Sequence, residues 1–392
     1  MFDSPCPLPD AHLAERGYAW SEESEGLRWV EEPRRSAPGL DGLLVWAFRE
    51  SASRIAFQTG HPVWVTIHGR NHRATRRAVD DYELSQIVNH LYGADGMARL
   101  QGGNDFDTAY SIPIDRATRL RFRLNATPTR TSRRAGSNLV LRPIPDLPPP
   151  LAAQGVEPGI LDAYRPRQGM VIVSGATGSG KSTLIAGMTV AKLSDPDGHY
   201  NIVEGAAPVE FLLERVRGAS STINQTEIPR DLPSFAAFIR GAMRREPTDI
   251  IVGECRDSET MDAAIQAAIS GHVLTTTIHA NDVALTMQRV ASLCPPGERA
   301  NLISAVAQSL RLVINQRLVR SVDGKRTALR EFLVFDAGLR GALLRTDPGE
   351  WPAVTRRAVD ERGQSYHAAI ARAFDEGLIS EVTAAYELRQ VG

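Results

Sequence analysis

Val171-Ile-Val-Ser-Gly175-Ala-Thr-Gly-Ser-Gly180-Lys181-Ser182-Thr183 passes from an apolar stretch through a glycine-rich loop into the amphipathic segment Leu184 to Leu193. That order predicts strand, loop and helix. Glycine at 175, 178 and 180 removes Cβ atoms that would obstruct a tight turn. The backbone N–H groups of Gly175, Ala176, Thr177, Gly178, Ser179 and Gly180 can then converge on one anion at a helix N-terminus. Lys181 adds a full positive charge for the β- and γ-phosphates of a nucleotide. Ser182, followed by Thr183, can place a hydroxyl on a bridging Mg2+, which completes the pattern G-x-x-x-x-G-K-[ST] in its strand-to-helix context. ATP and Mg2+ are the ligands this motif predicts.

Outward from the loop, apolar runs alternate with helical segments. Tyr200 to Glu204 reads as a second strand, Phe235 to Met243 as a helix, and Asp249-Ile-Ile-Val-Gly253-Glu254 as a buried strand that ends in an acid. Ser258 is expected to cap a helix from Met261 to Ile269, and His272 to His279 forms the next strand. Helix is expected over Glu298 to Val313. A hairpin at Asp323-Gly324 leads into a strand from Ala328 to Phe335, and 340–392 reads as helical with no visible chemistry. The alternation implies an α/β domain built on a mostly parallel sheet, whose ligands lie beyond the C-terminal ends of the strands.

ATP hydrolysis needs a metal, an oriented water, and positive charge on the γ-phosphoryl oxygens. Glu254, ending a strand expected to neighbour the one that delivers Lys181, is placed to hold Mg2+, directly or through water, or to polarise the attacking water. Glu210, after Pro208, is either a loop charge or part of the same chemistry. His279 either senses the γ-phosphate or is a core histidine.

Before the loop the chain has a different character. Residues 1–39 carry Pro5, Pro7, Pro9, Pro33 and Pro38 among many acidic residues, and are expected to form a loosely ordered arm. Residues 40–142 read as a small α+β domain. It has a helix at Leu43 to Phe48, strands at Ile55 to Thr59 and Val63 to His68, and a helix after Asp80 and Glu83 that closes at Gly93. Further strands are expected at Asp105 to Ile112, Arg119 to Asn125 and Asn138 to Arg142. Arg116, Arg119, Arg121, Arg123, Arg130, Arg133 and Arg134 crowd into this domain. A period of two puts Arg119, Arg121 and Arg123 on one face and Leu120, Phe122 and Leu124 on the other. Such a row requires phosphate, a partner's carboxylates or nucleic acid opposite it, or else is a solvated edge strand. Pro143 to Pro150 opens a proline-rich linker over 143–165. Domain boundaries are therefore expected at 143, 166 and 336.

Composition narrows the class. The 392 residues, 42% hydrophobic, imply two or three domains, and 45 basic against 46 acidic residues give a net charge of -1 with no global call for nucleic acid. Cys6, Cys255 and Cys294 are isolated, so neither zinc nor a disulfide framework is expected, and a cytoplasmic protein without export signal or membrane span is the reading.

Taken together, Gly175 to Thr183, Ala207-Pro-Val-Glu210-Phe, Val252-Gly-Glu254-Cys-Arg-Asp257 and Gly271-His272 with Thr277-Ile-His279 resemble the four signature boxes of the secretion ATPase superfamily. Type II and type IV secretion motors and twitching-motility retraction ATPases belong to it. Asn224-Gln-Thr-Glu-Ile-Pro-Arg230-Asp and Asp323 to Phe335 are similar to the DotB and TraJ branch, the Dot/Icm-type (type IVB) secretion and conjugative transfer ATPases. Phe57-Gln-Thr-Gly60, Ala74-Thr-Arg-Arg77 and Leu91-Tyr-Gly-Ala94 extend the likeness toward the N-terminus.

The resemblance implies a homohexamer of two-domain subunits, each a PAS-like N-terminal domain followed by a RecA-like P-loop NTPase domain, with nucleotide between them. It implies Glu210 as the acid that activates water, Glu254 as the second-box acid, and His272 and His279 as the histidine box. It also implies that Arg121, Arg123 and Arg142 approach the phosphates. It further implies docking at the cytoplasmic face of an inner-membrane secretion complex, where a transported protein or relaxase-DNA substrate is engaged indirectly. One departure stands out: the family's acid two residues before the proline is Ala206 here, with Glu204 two residues earlier, so either the strand register shifts or that acid is dispensable. The alternatives are a DNA-tracking motor on the same core, a pilus-retraction ATPase, and a small-molecule phosphotransferase for which no acceptor pocket is visible.

Overall fold

The computed structural model describes residues 20–23, 26–29, 37–67, 70–115, 119–131, 135–295 and 297–391. They divide into two compact units, Met1–Asp146 and Leu147–Gly392. Arg116, Arg133, Arg134, His68 and Cys6 lie outside the described residues, as does most of the expected amino-terminal arm.

The second unit is organised by β9, Gly169–Ser174, every residue of which is buried. Its side chains alternate. Val171 and Val173 enter a cluster with Leu184, Ile185 and Met188 of the phosphate-loop helix, Lys181–Leu193, whereas Met170 and Ile172 enter one with Phe238, Met261, Val290 and Trp351. Covering both faces explains why the strand reads as an unbroken apolar run. The sheet also holds β10 (Asn201–Ala206), β11 (Thr222–Glu227), β12 (Asp249–Val252), β13 (Val273–Ile278), β14 (Leu310–Arg320) and β15 (Arg326–Val334). The order is β11-β10-β12-β13-β9-β14-β15, parallel except for the β14–β15 hairpin.

Several sequence expectations need correction. β13 separates β12 from β9, so the strand before Glu254 is not the direct neighbour of the phosphate-loop strand. Leu310 to Val313, expected to be helical, begin β14, because Leu312 and Ile314 fill the cluster beneath the phosphate-loop helix. The strand β11 has no apolar run to announce it, since Thr222 and Asn224 on one face and Gln225 and Glu227 on the other are polar. Asp257, not Ser258, caps the helix Ser258–Ile269 and accepts from the N–H of Thr260. Within 143–165, Pro143 and Ile144 continue the last strand of the first unit. Leu151–Gln154 and Pro158–Ala163 form short helices that pack on the second unit through Leu151, Ile160 and Tyr164.

The first unit holds an antiparallel six-stranded sheet, β5-β4-β3-β8-β7-β6, made of β3 (Ala52–Gln58), β4 (Trp64–Ile67), β5 (Arg70–Arg73), β6 (Phe106–Pro113), β7 (Arg119–Arg130) and β8 (Ala135–Ile144). The helices Ala37–Arg49 and Asp81–Tyr92 pack against it through Leu43, Leu44, Trp46, Leu84, Ile87 and Val88. Asp80 caps the second helix by accepting from Glu83 N at 2.8 Å, while the Glu83 carboxylate accepts from Arg77, so only half of the capping box forms. A two-stranded ribbon, β1 (Trp20–Glu23) and β2 (Gly26–Trp29), interrupts the stretch expected to be loosely ordered, and none of that stretch's prolines falls in it. No helix among the described residues is long and apolar enough to cross a membrane, and Cys255 and Cys294 are buried free thiols.

Candidate functional site

Where β9 ends, the chain turns through Gly175 (φ 144°), Gly178 (φ 77°) and Gly180 (φ 83°) before entering the helix at Lys181. Space as well as dihedral angle demands glycine here. A Cβ at 175 would stand 2.4 Å from the Gln316 carbonyl oxygen, and one at 180 would stand 2.9 Å from Gln316 Nε2. The loop thus closes against β14. Ala176, Thr177 and Gly178 form its exposed rim, and Ser182 is exposed on the first helical turn beside half-buried Thr183. Lys181 Nζ donates to the carbonyls of Gly175 (2.9 Å) and Ala176 (2.8 Å). Burial pushes its ammonium below the usual lysine range, opposed by the charges of Glu254 and then Glu210. The fold therefore brings both acids within electrostatic reach of the phosphate-loop lysine.

Glu254 follows β12, at the same end of the sheet as the phosphate loop. Its Oε1 lies 2.5 Å from Arg256 Nε and 3.1 Å from His279 Nε2. Thr277 Oγ1 donates to Gly253 O (2.7 Å) and Cys255 N donates to Thr277 O (3.0 Å), which laces the ends of β12 and β13 together. Glu210 is half-buried in the loop after β10. A cleft of about 420 Å³ beside the loop is bounded by Ala176, His279, Asn281, Leu285, Gln288 and Arg289.

His272 does not join them. It precedes β13, whose register pairs Val273 with Gly169 and Ile278 with Ser174, so it lies at the opposite edge of the sheet from the loop. Six strand residues at about 3.3 Å each separate the two histidines. Its Nδ1 instead lies 3.3 Å from Ala267 O.

In the first unit, Arg123 and Arg142 are direct cross-strand partners on β7 and β8. Arg123 Nε lies 3.9 Å from Asp107 Oδ1, and Arg142 is exposed. Arg121 does not fit the alternative of a solvated edge strand: it is only 5% exposed. Like charges directly opposite one another disfavour the sheet unless an anion offsets them.

Residues that sequence reasoning passed over support the phosphate loop from behind. Gln316 is buried, with Nε2 donating to Ser179 O at 2.6 Å and Oε1 accepting from Arg330 Nε at 2.7 Å. Arg330 is buried too, and donates to Gly155 O (2.9 Å), Gln154 O (2.8 Å) and Glu157 Oε2 (3.1 Å). Glu157 also accepts from Arg372 (2.5 Å) and Gln364 (3.0 Å), so the carboxy-terminal helices take part in the site's support. Asn315 donates to Ser174 Oγ (2.8 Å) and accepts from Tyr366 OH (2.5 Å). An arginine and a glutamine inside an alternating strand were the available signal, since burying either requires partners.

The residues fit a polyphosphate. Cβ atoms would fill the cradle at 175 and 180, the Ser179 hydroxyl is buried there without a hydrogen-bond partner, and Lys181 supplies charge. For a divalent cation the oxygen donors are the Ser182 hydroxyl and the Glu254 carboxylate, a set suited to Mg2+. Among the described residues no group of three His, Cys, Asp or Glu side chains forms a protein cage for a metal, so the phosphates would complete its shell.

Residues 107–370 match the family described as type II/IV secretion system protein. The chain is 29% identical over 305 residues to the type IV pilus retraction ATPase PilT of Pseudomonas aeruginosa, covering 78% of this chain and 85% of that one. Among solved structures, the ATPase DotB of Legionella pneumophila superposes with a TM-score of 0.80 at 37% identity, covering 93% of this chain and 99% of that one. The ADP-bound pilus retraction motor PilT superposes with a TM-score of 0.73 at 25% identity, covering 87% and 94%. With its glycine-cradled lysine at the head of a mostly parallel sheet and acids gathered at the strand ends, this chain belongs to the type II/IV secretion system protein family.

Proposed function

We propose that the chain is an ATP-hydrolysing motor that works as a ring of six on the cytoplasmic face of a type IVB, Dot/Icm-like secretion or conjugative transfer apparatus. The observation that carries the reading is Lys181 in a cradle only glycine can form, with the charges of Glu254 and Glu210 both bearing on it. Likeness to DotB over nearly the full length of both chains supports the type IVB assignment. Likeness to PilT favours a second reading, retraction of a pilus.

In the proposed mechanism the backbone of 175–180 and Lys181 would hold the β- and γ-phosphates, and Ser182 and Glu254 would hold Mg2+. Bound Mg2+·ATP supplies the phosphoryl group and its electrophilic activation. Arg256 and His279 fix the Glu254 carboxylate, which keeps its free oxygen in one direction. Glu210 accepts the proton of the attacking water at its carboxylate, and Arg121, Arg123 and Arg142 stabilise charge that develops on the γ-phosphoryl oxygens. Rotation of domains in the ring then drives the transported protein or relaxase-DNA complex, engaged indirectly.

Single-turnover hydrolysis beside equilibrium binding of a fluorescent ATP analogue tests the site. Lys181→Ala abolishes turnover with the fold retained, and Glu210→Gln and Glu254→Gln lower hydrolysis by about 10²- to 10⁴-fold while binding survives. Wild-type turnover in Lys181→Ala sinks the reading. Deleting the gene in its host separates the two systems: loss of substrate transfer supports the first reading, and loss of twitching with transfer intact supports the second.

A further inference from the structure

Glu210 sits in a loop, and a water-activating carboxylate must be held to a fraction of an ångström. What holds it is β11. Gln225 and Glu227, two residues apart and hence on one face of that strand, grip the loop on either side of Glu210. On the near side Val209 N donates to Glu227 Oε2 at 3.3 Å. On the far side Gln225 Nε2 donates to Phe211 O at 2.8 Å, and Gln225 Oε1 accepts from Leu213 N at 2.9 Å and Glu214 N at 3.4 Å.

Those three backbone groups admit only one orientation of the Gln225 amide, because Phe211 O can only accept and the two N–H groups can only donate. In that orientation the second Nε2 hydrogen points at Glu204, whose Oε2 accepts it at 2.6 Å. Glu204 and Gln225 are direct partners in the parallel pairing of β10 with β11, and that pairing runs from Asn201 to Ala206 without irregularity. The position two residues before Pro208 is therefore a buried alanine, Ala206, in a regular strand, and the carboxylate has moved one step back on the same face.

We propose that Gln225 and Glu204 form a two-residue clamp that positions Glu210, with Glu204 fixing the Gln225 amide and Gln225 fixing the loop. The role rests on the reading of Glu210 as the acid that activates water. The clamp is sensitive to protons. Although part of Glu204 reaches solvent, burial pushes its carboxyl up to about 7, Gln225 opposes the rise, and Glu210 adds to it. Tyr164, at the end of the helix Pro158–Ala163, also interacts with it, and the partner of Glu204 on β12 is the apolar Ile251. A proton on Glu204 replaces the charged acceptor that holds the Gln225 N–H with a neutral carbonyl oxygen and so loosens the amide.

The test is ATP hydrolysis by the full-length chain across pH 5.5–8.5, beside binding of a fluorescent ATP analogue, for wild type, Gln225→Leu, Glu204→Gln and, as reference, Glu210→Gln. Gln225→Leu is expected to lower kcat by about 10- to 100-fold with the analogue's affinity unchanged, the scale of a misplaced catalytic group. Wild-type kcat is expected to rise with pH through about 7, and Glu204→Gln, whose amide oxygen accepts from Gln225 at every pH, is expected to flatten that limb. A Gln225→Leu chain that turns over at the wild-type rate while Glu210→Gln does not overturns the clamp, as does a limb near neutrality that persists in Glu204→Gln. Wild-type turnover by Glu210→Gln overturns instead the reading of the acid itself. If Gln225→Leu fails to fold, the pH profile of Glu204→Gln decides alone.

Discussion

Replacing Arg330 by methionine keeps most of its volume and removes every donor that ties the phosphate loop to the segment before β9. Arg330 is 2% exposed and serves Gln316 Oε1, Gly155 O, Gln154 O and Glu157 Oε2. Methionine leaves the first three without that partner inside the protein. Glu157 fares better, since Arg372 and Gln364 still donate to it, so no buried charge is stripped of all compensation. Removing one partner from a buried ion network costs about 3–5 kcal/mol, a figure that already contains the acceptors left unpaired, so the expected loss is about 3–5 kcal/mol. For a unit of this size that is a fall in Tm of roughly 10 °C. Trp351 is buried in the second unit and is the only tryptophan after residue 146, so its fluorescence follows the right transition. Arg357→Met, at an exposed position, is the control and should stay within about 0.5 kcal/mol. ATP-analogue affinity should fall as well, because Gln316 loses the bond that aims it at Ser179. A loss under about 1 kcal/mol with unchanged affinity would refute the view that this network supports the loop.

The glycines of the loop should differ sharply. Gly175→Ala meets Gln316 O at 2.4 Å and should abolish nucleotide binding, whereas Gly178→Ala meets nothing within 4 Å and should weaken it only by the strain of its positive φ, about 1–2 kcal/mol in a titration with the fluorescent analogue. Arg121→Ala or Arg123→Ala should lower kcat more than it weakens ATP binding, since charge on the γ-phosphoryl group grows toward the transition state; equal losses would make these arginines ground-state ligands only. Light scattering of the full chain with ATP analogue should give the mass of six copies, and a strictly monomeric mass at high concentration would exclude the ring. Glu204, whose folded value of about 7 lies above its ordinary 4.5, contributes stability that is fully present below 4.5 and lost as pH rises to about 7. Glu204→Gln should remove that slope from a series of urea midpoints, and an unchanged slope would contradict it.

How much of this was legible in the sequence depended on whether a residue's role was local. The phosphate loop could be read because glycine spacing, lysine and hydroxyl are consecutive and their geometry follows from the backbone alone. β9 could be read because a strand covered on both faces is almost continuously apolar, and β13 because its Val273-Leu-Thr-Thr-Thr-Ile278 is a run of apolar and β-branched residues. β11 could not, since its polar side chains are spent on the Glu210 loop and its pattern resembles that of a coil. Leu310 to Val313 were misread because a helix and a buried strand look alike over four apolar residues. His272 and His279 looked equivalent in sequence, yet a strand between them sends one to each edge of the sheet. Gln316, Arg330 and Glu157 were invisible as a group because their partners lie far apart in the chain.

These cases point to a division of labour in the sheet. At the C-terminal ends of β9 and β12 the chain places glycine, lysine and glutamate in the phosphate loop and beside it. Behind the loop, β14 and β15 spend Asn315, Gln316 and Arg330 on holding it. Buried polar side chains are costly unless every donor and acceptor is matched, and Arg330 and Gln316 meet that condition through the 154–157 segment and the helix carrying Arg372. A change in the position of that segment therefore cannot leave Gln316 untouched, and Gln316 touches the loop through Ser179. The geometry of the loop therefore depends on the 154–157 segment as well as on the loop's own glycines.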